Sequence, residues 1–229
     1  AAALALSHFG NFTGKSLPAS FNDTANFIRK KAFLLKDAPI VVDDYHPVTS
    51  LQERKKMEAT AQSLARAFGD GAERGRMKSD LTLQESMPPR GVAIISGEDT
   101  PGVGESGMAR FYVVNVSRDD VPATETLTSM QEVARIGYLQ KSMRGYIMWL
   151  LKQIDEMPSL LHEDFLRNRA IAIEKTKGQH GRTAEAIAHM MLGYDSMLRY
   201  LRDVGAITTD DCIKMGAHAW QVVTDNSRR

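Results

Sequence analysis

The chain has a single cysteine, almost no net charge and no long apolar run, and each shortage excludes a class of protein. Cys212 alone can form neither an internal disulfide nor a cysteine-based zinc site, so a reducing, cytoplasmic setting is expected. The 29 basic and 28 acidic side chains leave a net charge of +1, which excludes a global attraction to nucleic acid and leaves only local patches. No apolar run approaches the roughly 18 residues that span a bilayer, so no membrane contact is expected.

Several catalytic patterns are missing as well. The six histidines form no H-E-x-x-H metal motif, and there is no Gly-x-Ser-x-Gly elbow. Residues 10–16 look like a phosphate-binding loop, but three residues separate their glycines where the motif requires four. They also follow a helical run and lead into Leu17-Pro18, whereas a phosphate loop follows a strand and opens a helix. We therefore reject residues 10–16 as a nucleotide loop.

The first half of the chain alternates helical patterns with short β-branched runs, and from residue 125 onward the pattern is helical throughout. Strands are predicted over residues 17–20, 38–42, 91–96 and 111–116, with a possible hairpin strand at 81–83. Helices are predicted over residues 1–9, 22–35, 51–68, 125–155, 160–177, 183–204 and 209–224. Asn22 or Asp23 is the expected cap of the second helix, and Ser50 with Glu53 is an expected capping box. Strands separated by helices indicate an α/β layer with a largely parallel sheet.

Two acidic residues follow the apolar run 40–42 directly. A buried strand ending in Asp43 and Asp44 suits a nucleotide-hydrolysing sheet, because the first acid can hold the Mg²⁺ shell and the second can orient or deprotonate water. Ligands bind beyond the carboxyl ends of such strands. A strand that merely ends in solvated acids fits the same pattern, and these residues alone leave both interpretations open.

Three further side chains are candidates for the same chemistry. Ser96 ends the apolar run 91–96, where an ATPase carries a polar sensor of the γ-phosphate, although a plain Ser-Gly turn also explains it. Arg110 precedes the run 111–116 and could reach another subunit's nucleotide as a finger, worth about 10³-fold or more in rate. Arg182 is a similar candidate in the helical half. The alternative for each arginine is a surface charge.

A basic loop with glycines is the candidate nucleic-acid contact. Arg74, Arg76 and Lys78 place three cations within five residues, and Arg90 follows nearby. Glycines let such a loop approach a sugar-phosphate backbone, and the cations can neutralise phosphates. A solvated loop explains the pattern equally well, because neighbouring acids dilute the charge.

Longer strings carry a resemblance to a known family. They are Ser7-His-Phe-Gly10, Leu17-Pro-Ala-Ser-Phe-Asn-Asp-Thr-Ala-Asn26, Lys36-Asp-Ala-Pro-Ile-Val-Val-Asp-Asp-Tyr-His-Pro47, Gly71-Ala-Glu-Arg-Gly-Arg76, Pro88-Pro-Arg-Gly91 and Ile95-Ser-Gly-Glu-Asp-Thr-Pro101. Together they resemble P-loop ATPases of phages and integrated mobile elements, among them primase-associated helicases. The core of that family is distantly similar to AAA+ and MCM-like replicative helicases. The resemblance covers about residues 4–121 and, more weakly, 175–207.

The resemblance implies a role for each candidate. Asp43 and Asp44 match the Walker B acids, with Asp43 holding Mg²⁺ through water and Asp44 acting as catalytic base. Ser96 matches the γ-phosphate sensor, and Arg110 matches the finger that acts on a neighbouring subunit. Residues 71–90 match a loop or hairpin that faces the central channel of hexameric helicases and grips DNA. The helical half resembles a lid that packs on a neighbour's nucleotide.

In that family the phosphate loop lies directly before the helix that ends in Ser-His-Phe-Gly. Residues 1–9 are strong helix formers with no N-cap before them, so we expect the chain to begin inside this helix. The expected fold is thus a P-loop NTPase-like parallel sheet flanked by helices, with its first strand and Walker A loop missing, followed by an all-helical region. Residues 1–121 would be the ATPase core and residues 122–229 the helical lid.

The sequence therefore predicts a fragment of an ATP-dependent DNA helicase or translocase, with ATP and Mg²⁺ as cofactors, that replicates a phage or mobile element. The expected partners are single-stranded or forked DNA and, in the parent protein, further copies arranged in a ring. Without its P-loop the fragment itself is expected to be inactive. The alternative is a catalytically inactive ATPase-fold module that binds DNA or acts as a scaffold. A different α/β enzyme, such as a phosphotransferase or a deaminase-like hydrolase, has only the paired acids in its favour.

Overall fold

A computed structural model of the chain describes residues 2–46, 50–72, 75, 77–83, 85–117, 120 and 124–228. The strands in this part are β1 (Ala19–Ser20), β2 (Ile40–Tyr45) and β3 (Ala93–Gly97). The helices are α1 (Ala2–Leu6), α2 (Ala25–Leu35), α3 (Leu51–Asp70), α4 (Gly104–Met108), α5 (Thr124–Arg135), α6 (Tyr138–Leu151), α7 (Met157–Lys175), α8 (Gly181–Asp203) and α9 (Thr209–Asn226). Among the described residues, no helix combines the length and the apolar character needed to cross a bilayer.

The chain divides into two compact units. The first comprises residues 1–111 and 122–140, and the second comprises residues 112–121 and 141–229. All three strands belong to the first unit, and the second is helical. The assignment of an ATPase core to residues 1–121 and of a lid to residues 122–229 stays a prediction, because compactness assigns no function to either part.

The first unit is built around a three-stranded parallel sheet in the order β1-β2-β3. The central strand is β2, and its residues 40–42 are at most 1% exposed. Such burial is typical of a parallel strand that helices cover on both faces. The core around it includes Ile28 of α2 and Leu64 of α3. The predicted parallel sheet flanked by helices is confirmed at this level.

The end of the central strand differs from its prediction. The sequence predicts a strand that stops at Val42, whereas β2 continues to Tyr45, so Asp43 and Asp44 lie within the strand. The backbone explains the extension, because the Asp43 carbonyl accepts a hydrogen bond from the Phe21 N–H at 3.0 Å. The sheet therefore fixes the backbone of Asp43, and Asp44 lies between two paired residues of the same strand.

The strand predicted over residues 111–116 is wrong. In the described part of the chain, residues 111–117 pair with no strand. Tyr112 instead donates its hydroxyl to the Val223 carbonyl, and the Asn226 amide donates to the Val113 carbonyl, each at 2.7 Å. These two bonds hold the segment against α9 within the second unit, and so this strand-like sequence stays out of the sheet.

Two predicted helix caps are also corrected. Thr24 caps α2 by accepting from the Phe27 N–H at 3.3 Å. Asp23 is occupied elsewhere, because its carboxylate accepts from the Ser20 N–H at 3.0 Å. Ser50 does precede α3, but its side chain makes no capping hydrogen bond, so the predicted capping box is wrong.

The single helix predicted over residues 125–155 is two helices. Gly137 lies between α5 and α6 with a φ of +80°, a left-handed conformation that favours glycine and interrupts a right-handed helix. The later helices follow the prediction within a few residues. A buried core cluster of the second unit consists of Ala172, Ala184, Ile187 and Met191.

Gly97, at the end of β3, has no room for a side chain. A Cβ there would lie 2.4 Å from the carbonyl oxygen of Tyr45 and 2.7 Å from the Tyr45 Cβ. We expect Gly97→Ala to lower the free energy of unfolding by about 1–3 kcal/mol, because a buried backbone must shift. Urea denaturation followed by circular dichroism measures it. Gly14→Ala, where nothing lies within 4 Å, is the control, and an equal loss in both variants would contradict the argument.

Candidate functional site

The carboxyl edge of the sheet brings Asp43 and Ser96 together. Val42 pairs with Ile95 in parallel register, so the next residues of β2 and β3 lie side by side. Ser96 donates its hydroxyl to Asp43 Oδ1 across a separation of 53 residues in the sequence. Both side chains are half-buried. Two candidates from different sequence motifs are thus directly bonded in the fold.

A one-residue bulge places Asp44 at this edge. β2 advances three residues between Val42 and Tyr45 while β3 advances two, from Ile95 to Gly97, which leaves one residue of β2 unpaired. Asp44 adopts a φ of +68°, a left-handed conformation that aspartate tolerates better than most residues. Its side chain is 53% exposed. The bulge therefore presents a carboxylate to solvent beside the Asp43–Ser96 pair.

His46 is a neighbour of Asp44 that sequence reasoning missed. His46 Nδ1 lies 3.3 Å from Asp44 Oδ1, at ion-pair distance but outside hydrogen-bond geometry. A protonated His46 would hold the Asp44 carboxylate by charge. No strand pattern indicated this contact, because His46 follows the end of β2 and Asp44 lies in the bulge.

Tyr45 anchors the strand between these polar groups. It is 1% exposed, and its ring meets Phe21 edge-on with 5.0 Å between the ring centroids. Burial raises the pKa of the Tyr45 hydroxyl above its usual value, and the Glu58 carboxylate raises it further. Tyr45 therefore stays neutral around pH 7 and acts as a structural residue of the site.

The donor set at this edge suits a partly hydrated cation. Asp43 and Asp44 supply carboxylate oxygens, the ligand type that Mg²⁺ prefers. Among the described residues, no group of three or more His, Cys, Asp and Glu side chains could hold a metal ion. Water and substrate phosphates would have to complete an octahedral shell, as is usual for Mg²⁺ in phosphoryl-transfer sites. The residues thus fit a water-mediated contact and do not form a metal cage of their own.

Arg110 lies in the same unit and is bound within its own chain. Its Nε and Nη2 donate to the two carboxylate oxygens of Asp70 at 3.2 and 3.1 Å, and its Nη1 donates to the Ser106 carbonyl. The Arg110 side chain is 11% exposed and packs over Gly69. A role on a neighbouring subunit would require these bonds to break. Sequence reasoning missed Asp70, because no local pattern links residues 40 positions apart.

The other predicted residues do not gather at the sheet edge. Arg182 lies in the first turn of α8, in the second unit. Arg74 and Arg76 fall outside the described residues. Lys78 is exposed on a short hairpin, in which Met77 bridges Leu83 and the Lys78 N–H donates to Thr82 at 2.8 Å. The predicted hairpin strand at 81–83 is thus reduced to a single bridge.

Arg90 lies at the amino ends of the strands, opposite to the carboxyl ends where Asp43 and Ser96 meet. Its Nη2 donates to both carboxylate oxygens of Asp37 at 2.8 Å. These two residues precede the parallel strands β3 and β2, so they mark the amino ends of the strands. Arg90 is therefore separated from Asp43 by the length of the strands, and its charge is already paired.

Comparison of the chain with protein-family models, with curated proteins and with solved structures gave no match.

Proposed function

We propose that the chain is part of a P-loop NTPase that hydrolyses ATP with Mg²⁺ and moves along DNA during replication of a phage or mobile element. The observation that carries the proposal is the bond between Ser96 and Asp43 at the carboxyl ends of adjacent parallel strands. Open α/β sheets bind ligands at this edge. Asp44 lies beside the pair and is open to solvent, as a group that acts on water must be.

Each residue has a separate task in this proposal. Asp43 would hold Mg²⁺ through water. Ser96 donates its single hydroxyl proton to Asp43 in the nucleotide-free protein and would turn it to the γ-phosphate when nucleotide is bound. Asp44 accepts a proton from the attacking water, and His46 keeps Asp44 oriented. Bound Mg²⁺ supplies neutralisation of the charge that develops on the transferred phosphoryl group.

The free edge of β3 supports the P-loop fold. Residues 92–95 are apolar, as in a strand buried inside a parallel sheet, yet Val92 is 61% and Ile94 37% exposed. Within the described residues no strand pairs with this edge. We propose that a further strand of the parent protein lies there and carries the Walker A loop.

The hairpin around Lys78 is the proposed DNA contact. It lies between α3 and β3, and its apolar residues Met77, Leu81 and Leu83 are 60–81% exposed. A lysine on an exposed hairpin can contact phosphates without reading sequence. The resemblance implies a ring of subunits. A DNA strand that passes through the centre of such a ring would contact one hairpin from each subunit.

One observation favours a second function. The glycine-lysine segment 10–16 lies between α1 and β1 and opens no helix. The described residues therefore contain no phosphate loop, which is what an inactive ATPase-fold module that binds DNA or acts as a scaffold would show. Such a module binds DNA with an affinity that ATP does not change.

The test is phosphate release by the protein extended upstream of Ala1 to its start codon. We expect G-x-x-x-x-G-K-[ST] in the added residues and Mg²⁺-dependent ATP hydrolysis that DNA stimulates. The present chain, assayed beside it, is expected to be inactive. A longer protein that lacks this motif and binds DNA equally with and without ATP would replace the motor with the inactive module.

A further inference from the structure

Helix α6 packs within the second unit through the side that carries Tyr146 and Trp149. Tyr146 shares a 2.8 Å hydrogen bond between its hydroxyl and that of Ser196, and Trp149 Nε1 donates to Asp203 at 3.1 Å. Both partners lie on α8. The structure describes all fourteen residues of α6, and none of them is buried. A helix with no buried residue leaves part of its apolar surface exposed, where another molecule can pack against it.

The other side of α6 is apolar and exposed. At 100° per residue, Ile147, Met148 and Leu151 lie on the side of the helix opposite to Tyr146 and Trp149. These three side chains are 44%, 51% and 53% exposed. A contiguous apolar stripe on a helix of this kind commonly marks a contact with another molecule.

The charges at the ends of this stripe identify its occupant as a second copy of the chain. Arg144 precedes the stripe on the same side of α6, and Asp155 follows the end of the helix. Neither forms an ion pair within the described part of the chain. In an antiparallel pair centred between Met148 and Leu151, the Arg144 end of one copy lies beside the C-terminal end of the other copy's helix, which the turn that contains Asp155 follows. The same arrangement sets Met148 against Leu151.

We propose that this face of α6 is a homodimer interface, with two copies packed antiparallel about a two-fold axis. A two-fold contact uses the same patch on both subunits, so a patch complementary to itself is sufficient. Arg144 and Asp155 would form two symmetric ion pairs around an apolar centre. The patch is small, so a weak dimer with a dissociation constant of about 10–100 µM is expected. This contact is independent of the nucleotide site.

The experiment is sedimentation velocity of the full chain from about 1 to about 300 µM, a span that brackets this constant. The apparent mass is expected to rise from that of the monomer towards twice that value. Arg144→Glu and Asp155→Arg should each weaken the dimer about tenfold, because each sets like charges opposite one another. The double variant restores opposite charges and should recover most of the affinity.

A second pair of variants separates the interface from a general loss of fold. Leu151→Asp is expected to abolish the dimer, whereas Ile213→Asp, at a 66% exposed position of α9, should leave it unchanged. Circular dichroism confirms that each variant is helical. A monomer across the whole concentration range, a dimer that tolerates Leu151→Asp, or a double variant as weak as the single ones would each overturn the proposal.

Discussion

Asp44→Asn is expected, on the mechanism proposed above, to lower ATP hydrolysis by the upstream-extended protein by about 10²–10⁴-fold. An amide cannot take a proton from the attacking water, whereas the neighbouring Asp43 and Ser96 are left in place to bind. Asparagine also tolerates the φ of +68° at this position, so the bulge should persist. Steady-state phosphate release, measured beside equilibrium binding of ATP, separates the loss of chemistry from a loss of binding.

Asp37, which lies just before the same strand, provides a control variant with the same change of charge. Asp37 precedes β2 at the other edge of the sheet, and its side chain is 73% exposed. Asp37→Asn also removes one carboxylate charge, yet it should leave turnover unchanged. Unchanged turnover in Asp44→Asn, or equal losses in the two variants, would remove Asp44 from the mechanism.

Asp164→Ala is expected to lower the free energy of unfolding by about 2–4 kcal/mol, because it removes a buried carboxylate that two arginines share. The Asp164 side chain is 3% exposed, and its two oxygens accept from Arg167 and Arg199 at 2.6 Å each. Alanine leaves two guanidinium groups without their shared counter-charge. The loss stays below that of a fully buried pair, because both arginines keep some contact with water.

The preceding residue on α7 is the control for this prediction. Glu163 is exposed, and Glu163→Ala should change the free energy of unfolding by less than about 0.5 kcal/mol. Urea denaturation followed by circular dichroism measures both variants. Equal stability of the two proteins would show that the Asp164 carboxylate contributes nothing to the packing of α7 on α8.

Local signals were enough to predict the sheet and half of the site. The runs that became β2 and β3 are continuous and apolar, and a parallel arrangement brings their carboxyl ends to one edge. The parallel arrangement of β2 and β3 is therefore sufficient to predict that Asp43 and Ser96 lie side by side. The bulge at Asp44 could not be predicted, because it is a shift in register against β3 that no residue pattern within β2 indicates.

Contacts between distant residues decided the rest. Residues 111–116 have the composition of a strand, but the bonds of Tyr112 to Val223 and of Val113 to Asn226 hold them on a helix. More than a hundred positions in the sequence separate the partners of each hydrogen bond, so no local hydrophobic pattern could predict these contacts. Arg110 is a similar case, since its role depends on an ion pair with Asp70 that only the fold reveals.

The bulge in β2 has a consequence for how the sequence can vary. Val42 and Tyr45 are buried and carry the packing of the strand, whereas the residue inserted between them is open to solvent. A side chain at position 44 is thus freed from the size limits that the core sets on its neighbours. The φ of +68° still restricts the choice, so asparagine and glycine are the replacements expected to keep the sheet. The bulge thus lets the side chain at position 44 change by mutation, while the buried Val42 and Tyr45 that hold the strand in the core are constrained.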